Sequence, residues 1–219
     1  NIIDLNAYYS GGKLNTVLAA YMNYDKGDAA GTFNTPGVLM TEAVIFASGG
    51  SHLELGEHML CREYFPNNNL TIDTQLSTRL VPYYDFLVAY ENLLRDGGSF
   101  NDVSLNAVSS SFSLDSWPPR TGKVVTLAKQ VGERQVIHLL NYSNATSLSW
   151  RDLNGQQPEQ RLIRDGMFRL ITTKKINKIW AATPDPEGAM YRELEFTQGS
   201  GYVTFTVPVL KYWTMVVIQ

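Results

Sequence analysis

The chain has 219 residues, of which 44% are hydrophobic and 18% charged, with a formal net charge of −3. That balance supports a packed core, excludes a disordered chain and argues against a nucleic-acid partner, which would carry a basic stripe. No apolar run approaches the ~20 residues of a membrane span, and one cysteine, Cys61, excludes an internal disulfide framework or a cysteine-rich metal site.

The first residues, from Asn1 to Tyr9, read as the end of a helix, with Gly11-Gly12 as a left-handed stop. Residues 16–22 form a nearly continuous apolar run, the pattern of a parallel strand buried on both faces. Asn23, Tyr24 and Asp25 fall at its C-terminal end. Thr35-Pro36 is a helix start, with a capping hydroxyl followed by proline. Ser48-Gly49-Gly50 ends that helix. Residues 52–55 make the next strand, and alternation puts Leu53 and Leu55 on the helix side and His52 and Glu54 toward a barrel mouth. Residues 56–72 are a long loop. A helix over residues 74–95 carries Leu76, Leu80, Tyr83, Tyr84, Leu87, Tyr90 and Leu94 at helical spacing, with a kink expected at Pro82. Residues 1–98 thus read as the last two βα units of a (β/α)8 barrel, and no barrel closes with two.

Residues 99–117 read as a linker, and Pro118-Pro119 marks a boundary. Beyond it, alternating segments at 124–128, 136–140, 168–172, 176–181, 202–207 and 212–218 predict an antiparallel β-sandwich over residues 118–219. Trp117, Trp150, Trp180 and Trp213 are assigned to the sandwich core and the boundary. The fold class is therefore α/β plus all-β.

Polar side chains collect at the two strand ends: Asp25, Glu54 and Glu57, with His52 and His58 around them. The H-x-E-x-x-E-H spacing lies on a strand and loop, unlike the helical H-E-x-x-H of zinc sites, so no metal is expected. His138, within an apolar strand, reads as structural. Tyr24 and Phe65 sit in mouth loops, where an aromatic ring either stacks on a sugar or packs the loop. No phosphate-binding or dinucleotide-binding glycine motif is present, and no cofactor is expected.

Several strings carry a resemblance: Val17-Leu18-Ala19-Ala20-Tyr21-Met22-Asn23-Tyr24, Phe46-Ala47-Ser48-Gly49-Gly50-Ser51-His52-Leu53-Glu54-Leu55-Gly56, Glu63-Tyr64-Phe65-Pro66-Asn67 and Tyr83-Tyr84-Asp85-Phe86-Leu87-Val88-Ala89-Tyr90. Later come His138-Leu139-Leu140-Asn141-Tyr142-Ser143-Asn144 and Trp150-Arg151-Asp152. With these the chain resembles the family-66 glycoside hydrolases, which comprise endodextranases and cycloisomaltooligosaccharide glucanotransferases. The resemblance implies a secreted enzyme that cuts or transfers α-1,6-linked glucan with retention, through a covalent glucosyl-enzyme. It places the Asp nucleophile and Glu acid/base on earlier strands, so no catalytic residue is assigned here. Asn23, Tyr24, Asp25, His52 and Glu54 would then line the glucose side of the cleft. The implied partners are dextran or isomaltooligosaccharides and the N-terminal part of the same enzyme.

The short loop at residues 26–35 favours a dextranase over the cyclising enzymes, which carry an inserted module there. The wording of Gly56-Glu57-His58-Met59-Leu60 is closer to the cyclising ones. Two other readings stand beside the first. One is a non-catalytic carbohydrate-binding or structural β-sandwich module. The other is a chain with its own catalytic pair, Asp25 with Glu54.

Overall fold

The structure is a computed structural model that describes residues 2–54, 56–59, 61–62 and 67–219. The chain divides into two compact units: Asn1–Asp96 with Ala145–Glu159, and Gly97–Asn144 with Gln160–Gln219.

In the first unit, helix α1 (Ile2–Ser10) stops at Gly11 and Gly12, whose φ values are +62° and +76°. The Gly12 N–H closes the end on the Ala7 carbonyl at 2.8 Å. There follow β1 (Val17–Leu18), β2 (Gly31–Thr32), α2 (Thr35–Ala47), β3 (Ser51–His52), β4 (Leu70–Thr71), α3 (Thr74–Ala89) and α4 (Glu91–Leu94). β1 and β3 pair in parallel, with Val17 opposite Ser51 and Leu18 opposite His52. Two parallel neighbours need a long crossover, and α2 lies within it. The loops beyond both strands also pair in parallel, through β2 and β4.

α2 is apolar on every side and buried on nearly every side, including Val38, Leu39, Ala43, Ile45 and Phe46. Its cap is Asn34 rather than Thr35. The Asn34 amide makes no cap bond, because it donates to Asp152 Oδ2 at 2.7 Å and to the Gln157 carbonyl at 2.8 Å. α3 is capped by Asp73, whose Oδ1 accepts from the Leu76 N–H at 2.8 Å. This helix runs on through Pro82, and the interruption falls instead at Tyr90, with φ −116° and ψ 20°.

Both expected strands are shorter than the apolar pattern implies. After Leu18 the backbone groups leave the ladder: the Ala20 carbonyl meets the His52 ring, and the Asn23 N–H donates to the Arg151 carbonyl. After His52 the period of two lapses. Leu53 is 42% exposed instead of facing a helix, and Leu55 lies outside the described residues.

The second unit is all β: β5 (Ser99–Phe100), β6 (Leu105–Ala107), β7 (Leu114–Ser116), β8 (Val124–Val131), β9 (Arg134–Asn141), β10 (Ile163–Ile171), β11 (Ile179–Ala182), β12 (Arg192–Leu194), β13 (Phe196–Gly199), β14 (Tyr202–Leu210) and β15 (Trp213–Ile218). One sheet has the order β13-β14-β10-β6 and the other β12-β11-β15-β9-β8-β5, with β7 also on β8. Every pair is antiparallel except β7 with β8. β10 largely alternates buried and exposed residues and β14 buried and partly buried ones, whereas β15 and most of β8 and β9 are buried throughout. The two sheets share one core, in which Phe168, Val203 and Phe205 of one meet Ile137, Leu139 and Val216 of the other.

Three expectations are corrected here. Residues 99–117 are not a linker, since β5, β6 and β7 join the sheets of this unit. Residues 145–159 leave the sandwich and belong to the first unit. Trp150, within that excursion, is 50% exposed and not a core residue, while Trp180 and Trp213 are buried as expected. By content the fold is mostly β with few helices.

Candidate functional site

Two polar centres form in the first unit. The first locks the loop after β1. Asn23 has φ +51° and is fully buried. Its Nδ2 donates to the Asp152 carbonyl at 2.6 Å, and its Oδ1 accepts from the Asn34 N–H at 2.7 Å. Asp152 Oδ1 accepts from the N–H groups of Gln156 and Gln157 at 2.9 and 3.1 Å. A Cβ added at Gly37 would collide with the Asp152 carboxylate, so glycine lets the start of α2 close on this knot. Every side-chain polar atom of Asn23 is thus engaged inside the protein.

Tyr24, next in the chain, is half-buried, and the Arg62 guanidinium stacks 4.6 Å from its ring centroid. Arg62 also donates to the Tyr24 carbonyl at 3.0 and 3.2 Å and pairs with Asp28. Asp25 is exposed, with its N–H on the Leu153 carbonyl at 3.0 Å.

The second centre lies at the end of β3. His52 Nδ1 is hydrogen-bonded to Glu42 Oε1 and lies 3.5 Å from Glu54 Oε1. Its Nε2 meets the Ala20 carbonyl at 3.1 Å, tying the end of β3 to the end of β1. Tyr84, from α3, donates to the His52 carbonyl at 3.2 Å, lies against Glu54, and packs edge-on to Phe46 at 5.3 Å. Glu42 and His52 are buried; Glu54 keeps a partly exposed carboxyl.

Burial and charge set the protonation of this group. Burial alone would lower the His52 imidazole, but its bond to Glu42 and the charges of Glu42 and Glu54 outweigh that and hold it above its ordinary value. Glu54 is pushed up to about 8 by burial first and by repulsion from Glu42 second, against the opposing pull of His52. Burial, then the two carboxylates, raise the Tyr84 hydroxyl.

Glu42, His52 and Glu54 each bring one potential ligand atom to within 4.8 Å of the others, among the described residues. Both imidazole nitrogens are already hydrogen-bonded, to Glu42 and to Ala20. The arrangement is that of a proton-linked cluster: it can present a carboxyl group to a neutral, hydroxyl-rich ligand.

Of the residues singled out by sequence, the structure brings His52 and Glu54 together and puts Asn23 in the other centre, with Tyr24 and Asp25 beside it. Glu57 is exposed, 3.4 Å from His58, whose Nδ1 meets the Leu70 carbonyl at 3.0 Å. Phe65 lies outside the described residues. Glu42, Tyr84 and Asp152 were not singled out. For Glu42 a signal existed, as the only charged residue of a buried apolar helix; a buried charge requires a partner.

The comparisons agree on one family. The model of glycosyl hydrolase family 66 matches residues 1–217. A cycloisomaltooligosaccharide glucanotransferase of Niallia circulans is 31% identical over 196 residues, covering 86% of this chain and 20% of the relative. A dextranase of Streptococcus salivarius is 23% identical over 209 residues, covering 83% of this chain and 25% of the relative. Among solved structures, a Paenibacillus cycloisomaltooligosaccharide glucanotransferase complexed with cycloisomaltoheptaose superposes with a TM-score of 0.77 at 30% identity, covering 85% of this chain and 27% of that one. The chain therefore spans between a fifth and about a quarter of the length of these relatives. With a family match across nearly its whole length, this chain belongs to glycosyl hydrolase family 66.

Proposed function

We propose that this chain is the C-terminal part of a secreted, retaining α-1,6-glucan hydrolase or transglycosylase. Residues 1–98 supply the last two βα units of its (β/α)8 barrel, and an antiparallel sandwich follows them. The catalytic Asp and Glu belong to barrel strands outside this chain, in a partner segment of the same enzyme. The observation that carries this reading is the parallel β1–β3 pair, with α2 in its crossover and polar side chains gathered at both strand ends. Barrels of this type keep their chemistry at that end of the strands. The names of the relatives, which act on dextran or form cyclic isomaltooligosaccharides, supply the substrate class.

Within the cleft, Asn23, Tyr24, Asp25, His52 and Glu54 form this chain's share of the sugar site. Tyr24, Asp25 and Glu54 face the glucan. Asn23 and His52 hold the two strand ends in place through the bonds already described. Retention requires two carboxyls about 5–5.5 Å apart, and a Glu54 that keeps its proton to about pH 8 is a poor nucleophile.

The test is kinetic. In the dextran-cleaving protein that carries this chain, Glu54→Gln and Tyr24→Ala raise KM severalfold and leave measurable turnover, with the product anomer unchanged. Loss of all turnover in Glu54→Gln, with the fold intact, would make Glu54 a catalytic residue and contradict the reading. Separating linear from cyclic products assigns hydrolysis or transfer.

A further inference from the structure

The cluster at the end of β3 contains more acceptors than its visible donors satisfy. His52 Nε2 faces the Ala20 carbonyl, which only accepts, so Nε2 carries a hydrogen. Nδ1 and Glu42 Oε1 share a second proton, and whichever atom holds it the pair is neutral overall. Among the described residues, two buried carboxylate oxygens then remain without a donor, Glu42 Oε2 and Glu54 Oε1. Two ionised carboxylates in contact with a single imidazolium would leave one negative charge buried and unpaired, which is costly.

We infer that Glu42 is a positioning residue for sugar binding: it accepts a hydrogen bond from the protonated Glu54 carboxyl and thereby holds Glu54 neutral and oriented at the strand end. The inference rests on the glucan-binding reading above. Glu42, from α2, contributes through Glu54 and does not itself touch the sugar. Glu54 then meets a glucose hydroxyl as an uncharged, fixed carboxyl, and covering it with sugar buries no extra charge. The titratable groups facing Glu54 are Glu42 from α2, His52 from β3 and Tyr84 from α3, among the described residues. Burial and the Glu42 charge raise the Glu54 carboxyl, in keeping with this proton placement.

Infrared spectroscopy of the protein across pH reads the carbonyl stretch of a protonated carboxyl, and Glu54→Gln identifies the band. The expected band persists through neutral pH and disappears around pH 8. In Glu42→Gln the amide donates to Glu54, and the band disappears in the ordinary carboxyl range. Calorimetry with isomaltotriose adds the second readout. Its Kd rises about tenfold per pH unit once Glu54 ionises, and Glu42→Gln moves the onset of that rise down to the ordinary carboxyl range. A Glu54 band that is absent at neutral pH, or unchanged in Glu42→Gln, overturns the inference without needing the sugar. A band that behaves as expected while isomaltotriose fails to bind at any pH supports the proton placement and overturns the glucan reading.

Discussion

Single residues carry opposite pH dependences in the two units. His138 is fully buried in the second unit, with Trp213 Nε1–H donating to its Nδ1 at 3.1 Å. Burial, then the charge of Lys129, lower it to about 3. The folded state binds its proton less readily than the unfolded state, whose value is near 6.5. Its contribution is present above pH 6.5 and is lost as pH falls toward 3. Acid titration followed by Trp213 fluorescence should show the second unit loosening over that window, and His138→Gln should flatten the slope. Glu54 and His52 have raised values, so the folded first unit binds their protons more readily than the unfolded chain. The Glu54 contribution is full below about 4.5 and is lost as pH rises through about 8. Urea midpoints of the first unit should therefore fall between mildly acidic and alkaline pH. A midpoint that rises over that range contradicts the cluster as described.

The loop knot gives a further residue-scale expectation. Asn23→Ala removes the Asn23 side-chain bonds and leaves Asp152 and the Asn34 N–H with fewer partners. Unsatisfied buried groups cost about 1–3 kcal/mol each, so the urea midpoint should drop clearly. Asn23 was legible as a strand-end polar residue but not as a buried one. Its partner Asp152 lies far along the chain, and single-sequence spacing carries no signal of such a pairing.

At the scale of elements, α2 is fixed by close approach rather than by its cap. Gly37→Ala drives a methyl group into Asp152 and should destabilise the first unit by about 1–3 kcal/mol. Asp73→Ala removes the α3 cap and should cost about 1 kcal/mol; chemical denaturation checks both. The long elements were legible because their periodicity is strong: α2, α3, β8, β9, β14 and β15 all fall on segments read from pattern. β5, β6 and β7 were not, because they are two or three residues long and take their order from the strands they join. The shortness of β1 and β3 was hidden for the opposite reason. Their apolar runs continue, but side chains and a distant loop take over the hydrogen bonds.

For the whole molecule, the grammar of the chain separated a βα half from a β half. The excursion of residues 145–159 into the first unit was invisible to it. That segment reads as a turn-rich sandwich loop, but the bonds of Arg151, Asp152, Leu153 and Gln157 to Asn23, Asp25 and Asn34 attach it to the first unit. On the function proposed above, the strand ends of the first unit bind glucan and the acid and nucleophile lie outside this chain. The measurement that tests this most directly is dextran cleavage by the isolated 219-residue chain, beside the larger enzyme proposed to contain it, with the mass of each active species determined. The account predicts cleavage by the larger enzyme and none by the isolated chain. Cleavage by a single 24.5 kDa species would contradict it and would make Asp25, Glu54 and Glu57 the suspects for catalysis.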